Sequence, residues 1–160
     1  MGNFYEDVIK NDPRFNSTKA IADMDLLEPS TREGVEGIIA DAAARGIKLM
    51  VFETYRSQDR QQQLFNKGAS KLKTVGVHHY GLACDIVKNV NGNPSWDGDF
   101  SFLGDLAKEH GLIWGGDWGD PSVKHSFVDP DHVQRCTVKD QTPLFNGEWY
   151  PEEGYDPNAG

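Results

Sequence analysis

The chain lacks any apolar run long enough to cross a bilayer. Its opening residues, MGNFYEDVIKNDPRFNS, lack the positive-then-apolar order of a secretory signal, and Glu at position six gives myristoylation no support. Only two cysteines occur, Cys84 and Cys136, with no Cys-x-x-Cys spacing. That excludes a disulfide framework, and without a secretion signal reduced thiols are expected. Basic residues are also few: 16 Lys and Arg against 25 Asp and Glu, a formal charge of −9. Such a surface repels nucleic-acid phosphates. The densest basic stretch, Lys67, Lys71 and Lys73, reads as a solvated loop. These absences predict a soluble protein with no nucleic-acid partner and no stable membrane association. It is expected to act as a monomer and to stay cytoplasmic until something releases it.

What is present fits one globular unit. The 160 residues are 38% hydrophobic and 26% charged, enough for a single core. Ser30-Thr31-Arg32-Glu33 has the form of a capping box, and Val35, Ile38, Ile39 and Ala42 follow at helical spacing up to Gly46. Ile47 to Thr54 reads as a strand, and Ser57 as the cap of a second helix running to Gly68. Ala83 to Val87 reads as a buried strand, followed by an Asn91-Gly92-Asn93-Pro94 turn. Asp99 caps a third helix that Gly111 ends, and short strands are expected at Leu112–Trp114 and His132–Val138. Helices and strands segregate, which predicts an α+β fold with a small antiparallel sheet flanked by helices. Residues 1–146 are read as one catalytic domain. Residues 147–160, rich in Pro, Gly and acid, are read as a mobile or loosely docked tail.

Two clusters carry the chemistry. In His78-His79-Tyr80-Gly81-Leu82-Ala83-Cys84-Asp85, an imidazole sits in a Gly-flanked loop and a carboxylate inside an apolar strand. A buried Asp is costly unless it is paired or binds a metal. Alternation places Asp85 on one face with Ala83 and Val87, and Cys84 and Ile86 on the other. Taken alone, this segment is better served by the plainer reading, an Asp hydrogen-bonded to a neighbouring loop. The second cluster, Asp129-Pro130-Asp131-His132-Val133-Gln134, puts another His at the start of a β-like run. His78, Asp85 and His132 make the three-ligand count of a catalytic zinc. Asp129 is then the natural general base, with Asp131 its rival.

Other residues are ambiguous on their own. Trp114-Gly115-Gly116-Asp117-Trp118 offers two indoles to a ligand, or simply a structural turn with one core Trp. Arg56, in Tyr55-Arg56-Ser57, is a candidate to anchor a carboxylate or stabilise an oxyanion, and equally a salt-bridge partner. His110 sits at a helix C-terminus, where a cation is favoured. His79 is either a support to its neighbour or exposed. His125 has no spacing that recommends it, and a Cys-containing metal set is disfavoured because Cys84 faces away from Asp85.

Taken in order, Tyr-Arg-Ser, His-x-x-Gly-x-Ala-x-Asp, Trp-Gly-Gly-Asp-Trp and Asp-x-x-His-x-Gln resemble the L-alanyl-D-glutamate endopeptidases. These group with the D-alanyl-D-alanine carboxypeptidases and dipeptidases, zinc enzymes that share a fold with the hedgehog signalling domain. The resemblance runs from about Tyr55 to Gln134. It implies Zn2+ held by His78, Asp85 and His132, with Asp129 as catalytic base and Arg56 positioning substrate or stabilising charge. It further implies substrate contacts at Trp114, Trp118 and Tyr80, and hydrolysis of the L-Ala–D-Glu bond of the peptidoglycan stem peptide by metal-activated water. Several phage endolysins look like this, so a phage or prophage lysin is expected. A D-alanyl-D-alanine carboxypeptidase or dipeptidase is the alternative within the same chemistry, and a non-catalytic, zinc-containing wall-binding module the alternative outside it. Two departures stand out: Gly76 where the family usually has Ser, and Asp131 where a second Pro is common.

Overall fold

Helix α1 spans Pro29–Ala44 and starts earlier than the Ser30 capping box predicts. Its cap is Glu28, whose carboxylate accepts from the Thr31 amide at 3.0 Å and the Thr31 hydroxyl at 2.9 Å. Pro29 takes the first helical position, where a missing N–H costs nothing. At the other end Gly46 adopts the left-handed conformation (φ +81°), and Ile47 N–H returns to Ala42 O. This computed structural model describes residues 3–67, 76–115, 131–137, 139–152 and 154–158.

The chain then forms β1 (Leu49–Glu53), α2 (Gln58–Asn66, capped by Ser57), β2 (Ala83–Val90), β3 (Asn93–Ser95), α3 (Phe102–Glu109), β4 (Ile113–Trp114), β5 (His132–Gln134) and α4 (Gln141–Phe145). Strand β2 is longer than expected. It runs on to a two-residue Asn91-Gly92 turn with both φ positive, so the predicted turn closes a hairpin with β3. Conversely, β5 is shorter than the expected His132–Val138.

Among the described residues the sheet has the order β1-β2-β5-β4, all pairs antiparallel, with β3 also paired to β2. Its two faces do different work. Leu49, Cys84, Ile86 and Val133 point toward α1 and α3 and join Val35, Ile38, Leu103, Leu106 and Leu112 in the main core. Asp85 and His132 are Cα partners in the ladder and share the opposite face, with Glu53 across the other edge. A β-bulge between Val51 and Glu53 keeps Glu53 in register with Asp85 although Phe52 intervenes.

The N-terminal segment packs through Ile9, Ile21, Leu26 and Tyr55. At the far end, the acidic stretch after Gly147, expected to be loose, makes specific contacts. Arg135, 3% exposed, donates to the carbonyl oxygens of Glu152 and Tyr155 and to the Glu28 carboxylate. Tyr150 donates its hydroxyl to Tyr80 O, and Asn158 its amide to Leu112 O. Cys84 and Cys136 are both buried and free, and burial pushes both thiols up, Cys136 to about 12. No helix among the described residues is long and apolar enough to cross a membrane.

Candidate metal centre

His78 is delivered by a single 3-10 turn, Val77–Tyr80, which Gly81 ends in the left-handed conformation (φ +75°). A Cβ on Gly81 would lie 2.8 Å from Ile9 Cδ1 and 3.0 Å from Leu26 O, so the N-terminal segment closes over this turn only because the residue is glycine. The chain then enters β2, and Asp85 arrives opposite His132 on β5.

His78 Nε2 lies 3.2 Å from Asp85 Oδ1, and His132 Nδ1 lies 3.4 Å from the same oxygen. The three donor atoms fall within 4.8 Å of one another, and all three residues are buried. Their outer contacts orient the rings. His78 Nδ1 is 2.8 Å from Thr54 O, a group that can only accept, so this nitrogen carries the proton. His132 Nε2 is 2.7 Å from Gln134 Oε1. The Gln134 amide nitrogen donates to Cys136 O and to Gln141 Oε1, which turns its oxygen toward His132. In neutral rings held this way, both inner nitrogens aim lone pairs at a carboxylate oxygen. That arrangement calls for a cation between them, and two imidazoles with one carboxylate are the donor set of a catalytic zinc site.

Asp85 is equally constrained on its other side. Its Oδ2 accepts from Arg56 Nη2 at 3.2 Å, and the same nitrogen reaches Glu53 Oε1 at 2.9 Å. Arg60 Nε completes the network on Glu53 Oε2 at 3.1 Å. Burial opposes the charge on Asp85. Positive charge at the His78 and His132 nitrogens, the place a bound cation would take, outweighs it and holds the carboxyl below its usual range.

The remaining expected residues are distributed unevenly. Trp114 pairs with Val133 and packs against the helix-side core, on the face opposite Asp85. Tyr80 stacks on Phe145 at 5.9 Å and belongs to a second core cluster with Val77, Leu82 and Leu144. Asp129, Trp118 and His125 lie outside the described residues. His79 is buried, with Nε2 2.9 Å from the Tyr5 hydroxyl. Burial pushes it down to about 4, against a hydrogen bond to the Arg56 carbonyl, so it stays neutral near pH 7. His110 closes α3, the helix C-terminal position expected for it, and bonds Asp41 of α1 at 2.6 Å. Residues that sequence reasoning passed over include Gln134, visible only as the last letter of a motif, and Glu53, hidden in an apolar strand.

A family model described as D-alanyl-D-alanine carboxypeptidase matches residues 70–135, the span that holds His78, Asp85 and His132. The chain is a metallopeptidase that is similar to this family over that span. It is 29% identical over 142 residues to the peptidoglycan L-alanyl-D-glutamate endopeptidase CwlK of Bacillus subtilis (strain 168), covering 75% of this chain and 81% of that protein. It is 28% identical over 121 residues to the L-alanyl-D-glutamate peptidase of Listeria phage A118, covering 73% of this chain and 41% of the phage protein. The crystal structure of the Serratia marcescens L-Ala D-Glu endopeptidase ChiX superposes with a TM-score of 0.55 at 22% identity, covering 74% of this chain and 90% of that one. The metallopeptidase therefore has the α+β fold of the hedgehog and D-Ala-D-Ala peptidase type that its sequence predicts.

Proposed function

We propose that this metallopeptidase is a zinc enzyme that cuts the L-Ala–D-Glu bond of the peptidoglycan stem peptide. The observation that carries the reading is the convergence of His78 Nε2, His132 Nδ1 and Asp85 Oδ1, with both imidazole tautomers set from outside. The names of the Bacillus, Listeria phage and Serratia relatives support the choice of bond.

These three side chains would hold the metal. Zinc bound there supplies Lewis acidity, polarising a carbonyl and lowering the pKa of a water. The chain's own groups supply the rest. Asp129 is assigned as the base that takes a proton from the attacking water and returns it to the leaving amine. Asp131 is a poorer candidate, because its Oδ2 already accepts from the Trp96 indole at 2.9 Å. Arg56 is assigned to position Asp85: it grips the oxygen that the imidazoles do not face, while Glu53 balances its charge. Catalysis resides in one domain, acting as a monomer. A phage or prophage lysin is the setting that the Listeria phage relative supports.

Digestion of purified peptidoglycan tests the bond. New L-Ala C-termini are the expected product; release of free D-Ala would convert the assignment to a carboxypeptidase of the same family.

A further inference from the structure

Continuing the β2–β3 register one step past Lys88 and Ser95 sets Trp96 opposite Val87, on the face of β2 that Asp85 shares by alternation. Trp96 follows directly on β3, and its indole N–H donates to Asp131 Oδ2 at 2.9 Å. Asp131 is only 8% exposed. It precedes the ligand His132, and its carbonyl accepts from Ile86 N–H at 2.7 Å, one residue from the ligand Asp85. The indole is thus anchored one residue away from two members of the triad. Phe52, at the β1 bulge beside Glu53, meets it edge to face with ring centroids 4.8 Å apart. Val87, which shares Asp85's face of β2 by alternation, is fully buried. Trp96 itself nevertheless remains 49% exposed. A large apolar ring held at a fixed angle with half its surface open is suited to a ligand rather than to the core.

We propose that Trp96, clamped by Asp131 and backed by Phe52, forms the apolar wall of the substrate cleft and packs on the L-alanyl side of the scissile bond. This rests on the function proposed above. Of the two residues flanking that bond, L-Ala offers only a methyl group, whereas D-Glu brings carboxylate charge. A wall made of two aromatic rings and anchored on a buried carboxylate accepts the methyl and disfavours the anion. Trp96 is accordingly a specificity residue, and Asp131 positions it.

The test compares two sugar-free stem peptides, one beginning with L-Ala and one with Gly, cleaved by wild type, Trp96→Ala and Trp96→Phe. Discrimination against the missing methyl is expected to be about tenfold in kcat/KM for wild type and to fall to about twofold in Trp96→Ala. The loss should appear mainly in KM, with zinc content unchanged, and Trp96→Phe should recover most of it. Equal losses on both peptides, a fall in kcat alone, or loss of zinc from the Trp96→Ala variant would overturn the proposal while leaving the function intact. A wild type that cleaves the L-Ala peptide nowhere would overturn both.

Discussion

The two faces of β2 are built from adjacent residues and yet are opposite kinds of environment. Cys84 and Ile86 look into an apolar core closed by α1 and α3, where each contact is replaceable by another of similar volume. Asp85, between them, looks into a cage of directional contacts with His78, His132 and Arg56, where no contact can be traded for volume. A period of two divides one strand into a half that holds the fold and a half that holds the chemistry. Damage to the two halves should therefore be separable.

The largest separation is expected from His78→Ala or His132→Ala. Each should lose zinc and at least about a thousandfold in activity, while circular dichroism reports an intact fold. Full zinc occupancy in both would overturn the ligand set. Ile86→Ala is the mirror experiment. It should cost about 2–5 kcal/mol of stability in denaturant melts, yet retain one zinc and substantial activity at low temperature. A smaller effect belongs to the contacts behind the ligands. Gln134→Leu removes the acceptor that sets the His132 tautomer and should weaken zinc affinity by about 10–100-fold in a chelator competition. Arg56→Ala should act in the same direction through Asp85, with the loss read in metal affinity before it is read in KM. If Arg56→Ala left affinity untouched and raised only KM, the arginine would be a substrate anchor instead.

The chemical half of the strand was the more legible in the sequence, and the reason is physical. An Asp inside an apolar run and a His in a Gly-flanked loop each violate a local expectation, and violations point to sites. Alternation alone put Asp85 on the correct face, away from Cys84. What stayed hidden depends on contacts between distant segments. Glu28 is an unusual cap and was masked by the better local pattern at Ser30. Glu53 lies in an apolar run, and only the bulge sets it opposite Asp85, where Arg60 from α2 reaches its other oxygen. The composition of the last residues signals looseness, yet Arg135, from just beyond β5, reaches their carbonyls. Trp96 sits in a turn region with no periodicity, so nothing local marks it as part of the cleft. Trp114 shows the reverse: a suggestive motif whose first indole pairs with Val133 and turns to the core.

The central claim is that His78, Asp85 and His132 hold a zinc ion that the reaction requires. It is tested most directly by measuring metal content by elemental analysis on the same sample whose cleavage of peptidoglycan is followed with and without chelator. The account predicts about one zinc per chain and L-Ala C-termini that disappear on chelation and return with added zinc. A protein that purifies without bound metal and cleaves equally well in chelator would contradict it.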